Sequence, residues 1–405
     1  MKLLIAIPAL DEQDSIASTI ERCLDAREHI IANSPVTEVN VTVVSDGSTD
    51  RTVEIAKGYT DRIGLIVFEK NKGYGAAISE AWMSSDADLL SFLDADGTCD
   101  PTKIAEFCDA LMVQSADVVL GCRLNKNSQM PLVRRIGNTM FAWMLSLFSM
   151  TRVKDTASGM RVVRRTSLKK LFPLPRGLHF TPAMSARAIM SRDLKIIEID
   201  MLYDEREGES KLNPVKDGIR FLRVILETAM LYRPSKPMGL VATVMLLVTV
   251  AMMAGPSIYY LENGRLEEWM IYRFLVGELL STIAVLIWCV TYLGRKAADI
   301  GLSSNPEKDK YHGFWGWVFS RKWLWAVPTA LGGIGLSFVW RALMQYFSTG
   351  EVTEHWSRFV AMMFFFSAAA IVVVCKIADY CLNLLADRLA YLKAVEEQTE
   401  PIPHA

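Results

Sequence analysis

An α/β domain built on a parallel sheet, followed by an α-helical membrane domain of four spans, is the architecture that this sequence predicts. Three observations predict it. Up to about Arg233 the 405-residue chain alternates short apolar runs with polar or glycine-rich turns, as soluble α/β domains do. Beyond Pro237 it carries four long runs almost free of charge, near the ~20 residues that a bilayer core requires. The third is the stretch Leu89 to Pro101, LLSFLDADGTCDP, in which an apolar run ends in Asp94 and Asp96, separated by Ala95.

Leu89, Leu90, Phe92 and Leu93 suit a strand covered on both faces, because such strands read as continuous apolar runs. The two acids then lie at its carboxyl end, where open α/β sheets bind ligands, and as i and i+2 of an extended chain they point to one side. Two hard oxygen donors there suit Mg²⁺ or Mn²⁺ carrying a diphosphate. Taken alone, D-A-D-G is also an ordinary turn with a capping acid before Pro101. Its neighbours alter that reading.

Leu3 to Ile7 predicts the first strand, with Pro8-Ala9-Leu10-Asp11-Glu12 as the loop at its end and a helix through Ile16, Ile20 and Leu24. Val39 to Val44 is a β-branched second strand ending in Ser45-Asp46-Gly47-Ser48-Thr49-Asp50. Leu65 to Phe68 is a third, followed by Asn71-Lys72-Gly73-Tyr74-Gly75 and a helix from Ala76 to Met83; Val118 to Gly121 is a further strand ending in Cys122 and Arg123. Successive strands thus deliver polar or glycine-rich loops to one sheet edge, which is how a nucleotide-binding half-domain is built.

In this order and spacing, P-A-x-D-E, S-D-G-S-T-D, N-x-G-x-G and D-A-D-G resemble the inverting family 2 glycosyltransferases of the GT-A fold, a Rossmann-like nucleotide-diphospho-sugar transferase fold. Gly121-Cys122-Arg123, Asp155-Thr156-Ala157-Ser158-Gly159-Met160-Arg161 and Arg206-Glu207-Gly208-Glu209-Ser210-Lys211 extend the resemblance to the dolichyl- and polyprenyl-phosphate sugar synthases, over roughly residues 1 to 233. The resemblance implies one-sugar transfer from a nucleoside-diphosphate sugar to a polyprenyl phosphate, with inversion and a divalent metal. It puts Pro8, Ala9, Glu12, Asp46 and Gly73 on the nucleotide sugar and Asp94, Ala95 and Asp96 at the diphosphate, the two acids holding Mg²⁺ or Mn²⁺. Many relatives carry Asp where this chain has Ser45, a departure that touches base or ribose recognition.

An acceptor phosphate monoester, with a second pKa near ~6, is largely a dianion at neutral pH and needs no strong general base. It does need cations, and arginine forks suit phosphate oxygens. Arg123 and the adjacent Arg134 and Arg135 are the candidates, with Ser158 in the D-T-A-S-G-M-R loop beside them. Asp155 of that loop is expected to orient sugar or acceptor, and Arg161 to hold the loop through a salt bridge. Arg206 and Lys211 are expected to close a polar loop over the diphosphate; a solvated charged turn is the plain alternative. His179 reads as structural or as a wall of the sugar pocket.

Ile136 to Met150 is apolar nearly all round, and Lys216 to Leu231 sets Ile219, Leu222, Ile225 and Leu226 against Arg220, Arg223 and Glu227. Both predict interfacial helices, near 134–150 and 215–232, that seat the first domain (1–233) on a bilayer. The membrane domain (234–385) has expected spans near 238–260, 274–293, 323–347 and 359–375, before a tail over 386–405. The middle loop, Gly294 to Lys322, carries Arg295, Lys296, Lys308, Lys310, Arg321 and Lys322, so the positive-inside rule puts it, both termini and the first domain in the cytoplasm of a multi-pass inner or plasma membrane protein. Glu278 and Arg341 are the ionisable residues within these spans, expected to pair or to snorkel. Gly332, Gly333 and Gly335 predict close helix contact, and the spans could also pack against a second copy, making a homo-oligomer.

A formal net charge of −1 argues against a nucleic-acid partner. Seven cysteines without a C-x-x-C pair favour a reducing compartment and no zinc site. Two other readings stay open: a processive membrane polysaccharide synthase, whose usual Q-x-x-R-W string is absent here, and a non-catalytic nucleotide-sugar-binding scaffold.

Overall fold

The computed structural model describes residues 1–124, 130–149, 153–191, 193–202, 214–302 and 325–399. The chain divides into two compact units, Met1–Ala229 and Met230–Ala405.

The first unit is built on seven strands: β1 (Lys2–Ala9), β2 (Glu38–Ser45), β3 (Gly64–Val67), β4 (Leu89–Leu93), β5 (Val118–Cys122), β6 (Met160–Arg164) and β7 (Ile196–Asp200). Their order is β3-β2-β1-β4-β6-β5-β7. Six run parallel; β6 is antiparallel to both β4 and β5. The purely parallel sheet expected from the apolar runs is therefore mixed, and β6 and β7 add to it. Strand order reverses at the β1/β4 pair, since β2 lies outside β1 while β4 lies on its other flank. Such a reversal opens a crevice beyond the strands' carboxyl ends.

Helices α1 (Ile16–Ala32), α2 (Thr52–Lys57), α3 (Tyr74–Met83), α4 (Ile104–Val113), α5 (Leu132–Phe148), α6 (Leu168–Leu171), α7 (Phe180–Met190) and α8 (Pro214–Tyr232) complete this unit and lead into the next. On one face of the sheet Leu3, Ile5 and Ile7 pack with Ile16, Ile20 and Leu24 of α1 and Phe107 and Leu111 of α4. On the other, Trp82, Phe92 and Phe180 cluster with centroids 5.9–6.0 Å apart, Phe180 meeting both other rings edge-on and Trp82 tilted against Phe92, and the Trp82 indole N–H donates to Ser91 O at 3.1 Å. Burial of three aromatic rings between α3, β4 and α7 ties both helices to the strand that bears the acids. Inward residues of α5 are Asn138, Phe141, Ala142 and Leu145; Phe141 meets Phe221 of α8 edge-on at 5.8 Å. Leu132, Val133, Ile136, Met140, Trp143 and Leu147 of α5, and Ile219, Leu222 and Leu226 of α8, are left exposed.

The second unit contains α9 (Ser235–Asn263), α10 (Ile271–Leu302), α11 (Ala326–Thr349) and α12 (Trp356–Thr399). All four are long and apolar enough to cross a membrane. α9 packs on α10, α11 on α12, and α10 on α12, giving two hairpins joined through their second members. α12 is one helix through Thr399 and takes in residues 386–399 of the expected tail. α10 likewise runs beyond the expected span end at 293, and the extra turns carry a buried ion pair, Lys296 with Asp379; the Tyr292 hydroxyl donates to the same Asp379 oxygen at 2.6 Å. Glu278 and Arg341 do not pair among the described residues: Glu278 Oε1 accepts from Thr282 Oγ1 at 3.1 Å. Gly335 lies against Phe365 and Phe366, whereas space beside Gly332 and Gly333 is open. The close contact expected of all three is made by Gly335, because only that position faces α12.

Candidate active site

The crevice at the β1/β4 reversal is a cavity of about 520 Å³. Pro8 and Ala9 line it from the last two positions of β1, with Glu12 just beyond. Asp46 lines it from the end of β2. Its carboxylate accepts the N–H of Lys72 at 2.6 Å and of Gly73 at 2.9 Å, which fastens the second loop to the third. Burial pushes the Asp46 carboxyl above its ordinary value against those two N–H groups. Gly73 adopts φ +106°, and a Cβ there would lie 2.5 Å from Arg176 O, so both conformation and space call for glycine. Ser45 is fully buried and donates to Ser48 Oγ at 3.0 Å, beneath the cavity rather than on its wall.

The acidic turn after β4 is held from below by α1. Thr19 Oγ1 donates to Ala95 O at 3.0 Å, and Arg22 donates to Gly97 O at 2.7 Å and Cys99 O at 3.1 Å. Asp96 Oδ1 accepts from Thr98 Oγ1 at 2.7 Å, and Asp94 Oδ1 from the Tyr74 hydroxyl at 2.6 Å. Tyr74 is half-buried on the cavity wall, and desolvation together with the Asp94 charge raises its phenol well above the ordinary value, so it stays a donor. Asp94, Ala95 and Asp96 all line the cavity. No group of three or more His, Cys, Asp or Glu side chains suited to a metal ion occurs among the described residues. Two carboxylates on one wall nevertheless fit the smaller oxygen-seeking cations, which take one or two protein carboxylates and complete their shell with water and substrate phosphate.

Arg123, just beyond the end of β5, and Arg134, Asn138 and Phe141 of α5 also line the cavity. Asp155 binds Arg123 through both carboxylate oxygens, accepting Nε at 2.8 Å and Nη2 at 3.0 Å, as well as the Arg123 backbone N–H at 3.0 Å. Asn138 Nδ2 donates to Asp155 Oδ1 at 2.6 Å. Burial alone would push the Asp155 carboxyl up, but the Arg123 charge and these hydrogen bonds hold it below the usual carboxylate range.

The expectations for this loop are corrected on three points. Asp155 and Ser158 are fully buried and lie beneath the wall: Asp155 positions Arg123, and Ser158 Oγ donates to Met160 O at 3.3 Å. Arg161 holds the loop through carbonyls, with Nη2 to Thr156 O at 2.9 Å and Nε to Ser158 O at 3.3 Å, not through a salt bridge. Of the adjacent arginines, Arg134 lines the cavity and Arg135, one helical step away, faces out. Arg206 and Lys211 lie outside the described residues. Among residues the sequence reading passed over, Tyr74, Asn138 and Arg220 line the cavity. Tyr74 stands inside the N-K-G-Y-G string, its only signal; Asn138 is the one amide side chain in the mostly apolar stretch from Ile136 to Met150.

The sequence profile of glycosyl transferase family 2 matches residues 4–172, which holds β1 to β6 and every acid on the cavity wall. A dolichyl-phosphate hexose transferase of Haloferax volcanii is 31% identical over 238 residues, 56% of this chain and 94% of that protein. The chain belongs to glycosyl transferase family 2. Its mixed seven-stranded sheet is a GT-A-like domain, and the four apolar helices follow it. The low-salt glycan biosynthesis hexosyltransferase Agl6 of the same archaeon is 34% identical over 240 residues, 58% of this chain. That match spans only 55% of Agl6. The solved structure of glucosyl-3-phosphoglycerate synthase from Mycobacterium tuberculosis, in complex with Mn²⁺, UDP and glucosyl-3-phosphoglycerate, superposes with a TM-score of 0.41 and 18% identity over 56% of this chain and 78% of that one.

Proposed function

We propose that this family 2 protein transfers a single hexose from a nucleoside-diphosphate sugar to a polyprenyl phosphate at the cytoplasmic face of a membrane, with inversion. The observation that carries the reading is a single cavity lined both by carboxylates, Asp46, Asp94 and Asp96, and by the guanidinium groups of Arg123 and Arg134, with exposed apolar faces on α5 and α8. A lipid phosphate has both properties that the arginines and these faces address, charge at the head and an apolar chain behind it. The names of the Haloferax relatives, one a dolichyl-phosphate hexose transferase, support the same acceptor class.

In this reading Pro8, Ala9, Glu12, Asp46 and Gly73 seat the nucleoside, and Asp94 to Asp96 meet the diphosphate, with Arg206 and Lys211 proposed beside it. Mg²⁺ or Mn²⁺ held by Asp96, with Asp94 alongside, would neutralise charge on the departing diphosphate. Arg123, fixed in direction by Asp155, and Arg134 orient the acceptor phosphate so that its oxygen attacks the anomeric carbon from the face opposite the leaving group. The acceptor arrives as a dianion, so no side chain has to remove a proton. Arg123 and Arg134 also offset repulsion between two anionic substrates, which is stronger in a partly dehydrated cavity than in water.

The experiment is transfer by the purified full chain, with labelled UDP- and GDP-sugars, a polyprenyl phosphate, and Mg²⁺, Mn²⁺ or a chelator. One donor should give a lipid-extractable product labile to mild acid, lost with chelator. Polymer, or nucleotide release without lipid product, would remove the acceptor assignment.

A further inference from the structure

The second unit has a cavity of its own, at the end where both hairpins turn, and it is about 1010 Å³ in volume. Tyr260, Leu261, Phe274 and Phe338 give it apolar and aromatic walls. Its charged lining is of one sign: Arg265, Arg341 and Arg358 line it, and among the described residues no carboxylate does. Two of the three guanidinium groups are already compensated by neighbours outside the lining, Arg265 by Glu267 at 3.0 Å and Arg358 by Glu354 at 2.6 Å. Arg341 has no ion pair or hydrogen bond among the described residues.

Position makes that third arginine informative. It lies eight residues before the end of α11 at Thr349, roughly 12 Å along the axis at ~1.5 Å per residue, within a segment apolar enough to span a bilayer. Ionised side chains within so apolar a segment face a partner, a cavity or, by snorkelling, the interface, and Arg341 is exposed rather than enclosed by its neighbours. Arg341 faces a cavity, and one uncompensated positive charge calls for one negative charge. Aromatic and aliphatic walls around a single cation match a phosphodiester carried on a hydrocarbon chain better than a free, strongly hydrated anion.

We propose that this cavity binds the phosphodiester head of a membrane lipid, with Arg341 as its charge partner. Two sources share that chemistry: an anionic glycerophospholipid, and the sugar-bearing polyprenyl phosphodiester that the proposed reaction forms at the opposite face, which likewise carries one negative charge and reaches this cavity only after its head has crossed the bilayer. Only the second source rests on the proposed transfer.

The test measures lipid retained by the full chain in detergent, by native mass spectrometry, against phosphatidylglycerol, a synthetic glycosyl polyprenyl phosphate, and inorganic phosphate as the soluble control. The intact protein should retain at least one of the two lipids, and Arg341→Gln should weaken retention roughly 10- to 100-fold, as for loss of a hydrogen bond to a charged group. Arg341→Lys should restore part of it. Ser337→Phe, which keeps the charge but fills the cavity that Ser337 lines, should lose retention too and decides the matter if Arg341→Gln does not fold. Unchanged retention in Arg341→Gln and in Ser337→Phe, or competition by inorganic phosphate at concentrations equal to the lipid, would overturn the proposal. Retention of phosphatidylglycerol by a chain that transfers no sugar would support this site while the transfer reading fails.

Discussion

The Tyr74 hydroxyl donates to Asp94 Oδ1 at 2.6 Å, across the gap between the loop after β3 and the turn after β4. The other side of the same carboxylate lies over Gly159, where a Cβ would come within 1.9 Å of Oδ2. Asp94 is thus held between a phenol and a bare backbone, and its direction is set before any substrate arrives. Tyr74→Phe removes the donor and leaves the ring in its edge contact with Phe92 at 6.3 Å. A hydrogen bond to a charged group contributes roughly 1.5–3 kcal/mol, so kcat should fall by about 10- to 100-fold while the thermal midpoint moves little. Steady-state kinetics with the matched donor checks this; wild-type kcat would remove Tyr74 from the positioning of Asp94.

Gly159→Ala tests the opposite face of that carboxylate. The added methyl cannot fit unless Asp94 swings away, since it would also lie 2.7 Å from Cγ. Donor turnover should fall at least as far as in Tyr74→Phe. Isothermal titration of the nucleoside diphosphate, with and without metal, should show the loss mainly in the metal-dependent part of binding.

Asp96→Asn should abolish transfer and leave folding intact, because the side chain lies at a turn and its Oδ1 contact with Thr98 can be kept by an amide oxygen. Circular dichroism and a thermal melt monitor folding beside the transfer assay. Retained turnover would count against the metal and diphosphate assignment.

Asp155 makes a prediction in pH. Its folded-state carboxyl is depressed, so the ionised form contributes stability above the usual carboxylate range, and that contribution is lost as pH falls through the folded value. At neutral pH Asp155→Asn leaves Arg123 buried without its counter-charge, a loss of about 3–5 kcal/mol. Chemical unfolding should therefore separate the variant from the wild type widely at pH 7 and converge only in strong acid. Activity should fall as well, through misdirection of Arg123, and the acceptor KM should rise more than the donor KM.

Lys296 and Asp379 offer a test confined to the second unit. Either single change, Lys296→Met or Asp379→Leu, strands a charge that is now 4% or 2% exposed and should destabilise by about 3–5 kcal/mol. The double change should recover most of that loss, because two apolar residues of similar size need no desolvation. A double mutant no better than the worse single would show that the Tyr292 hydroxyl, which loses its acceptor when Asp379 is replaced, carries as much of the loss as the ion pair.

The strands β1 and β4, covered on both faces, announced themselves. LLIAIPA and LLSFL read as continuous apolar runs and VNVTVV as a β-branched one that is buried on one face over its first half, and the polar loops behind them were then at the correct edge. β6 and β7 were not legible because MRVVR and IIEID are short and contain Arg161, Arg164 and Glu198; nothing in one strand states that Arg161 will be enclosed while bonding to two carbonyls. The Tyr74–Asp94 and Asp155–Arg123 contacts join residues 20 and 32 positions apart, which no local pattern encodes. Arg134 could not be separated from Arg135 until the rotation of α5 was known. In the second half, hydropathy located four spans, two of which continue as helix past the ends expected at 293 and 375. There Lys296, counted with the basic middle loop, is buried against Asp379.

The reversed direction of β6 decides how far apart the two substrates begin. Met160 opposes Leu93, so the chain enters β6 at the rim where β4 leaves the sheet. Had β6 run parallel, its entry would sit one strand length away, roughly 16 Å for five residues at ~3.3 Å each, on the opposite rim. Asp155 and Gly159 would then be out of reach of Arg123 and Asp94. One inverted strand brings the loop before it to Arg123, through Asp155, and to Asp94, through Gly159, on a single sheet edge.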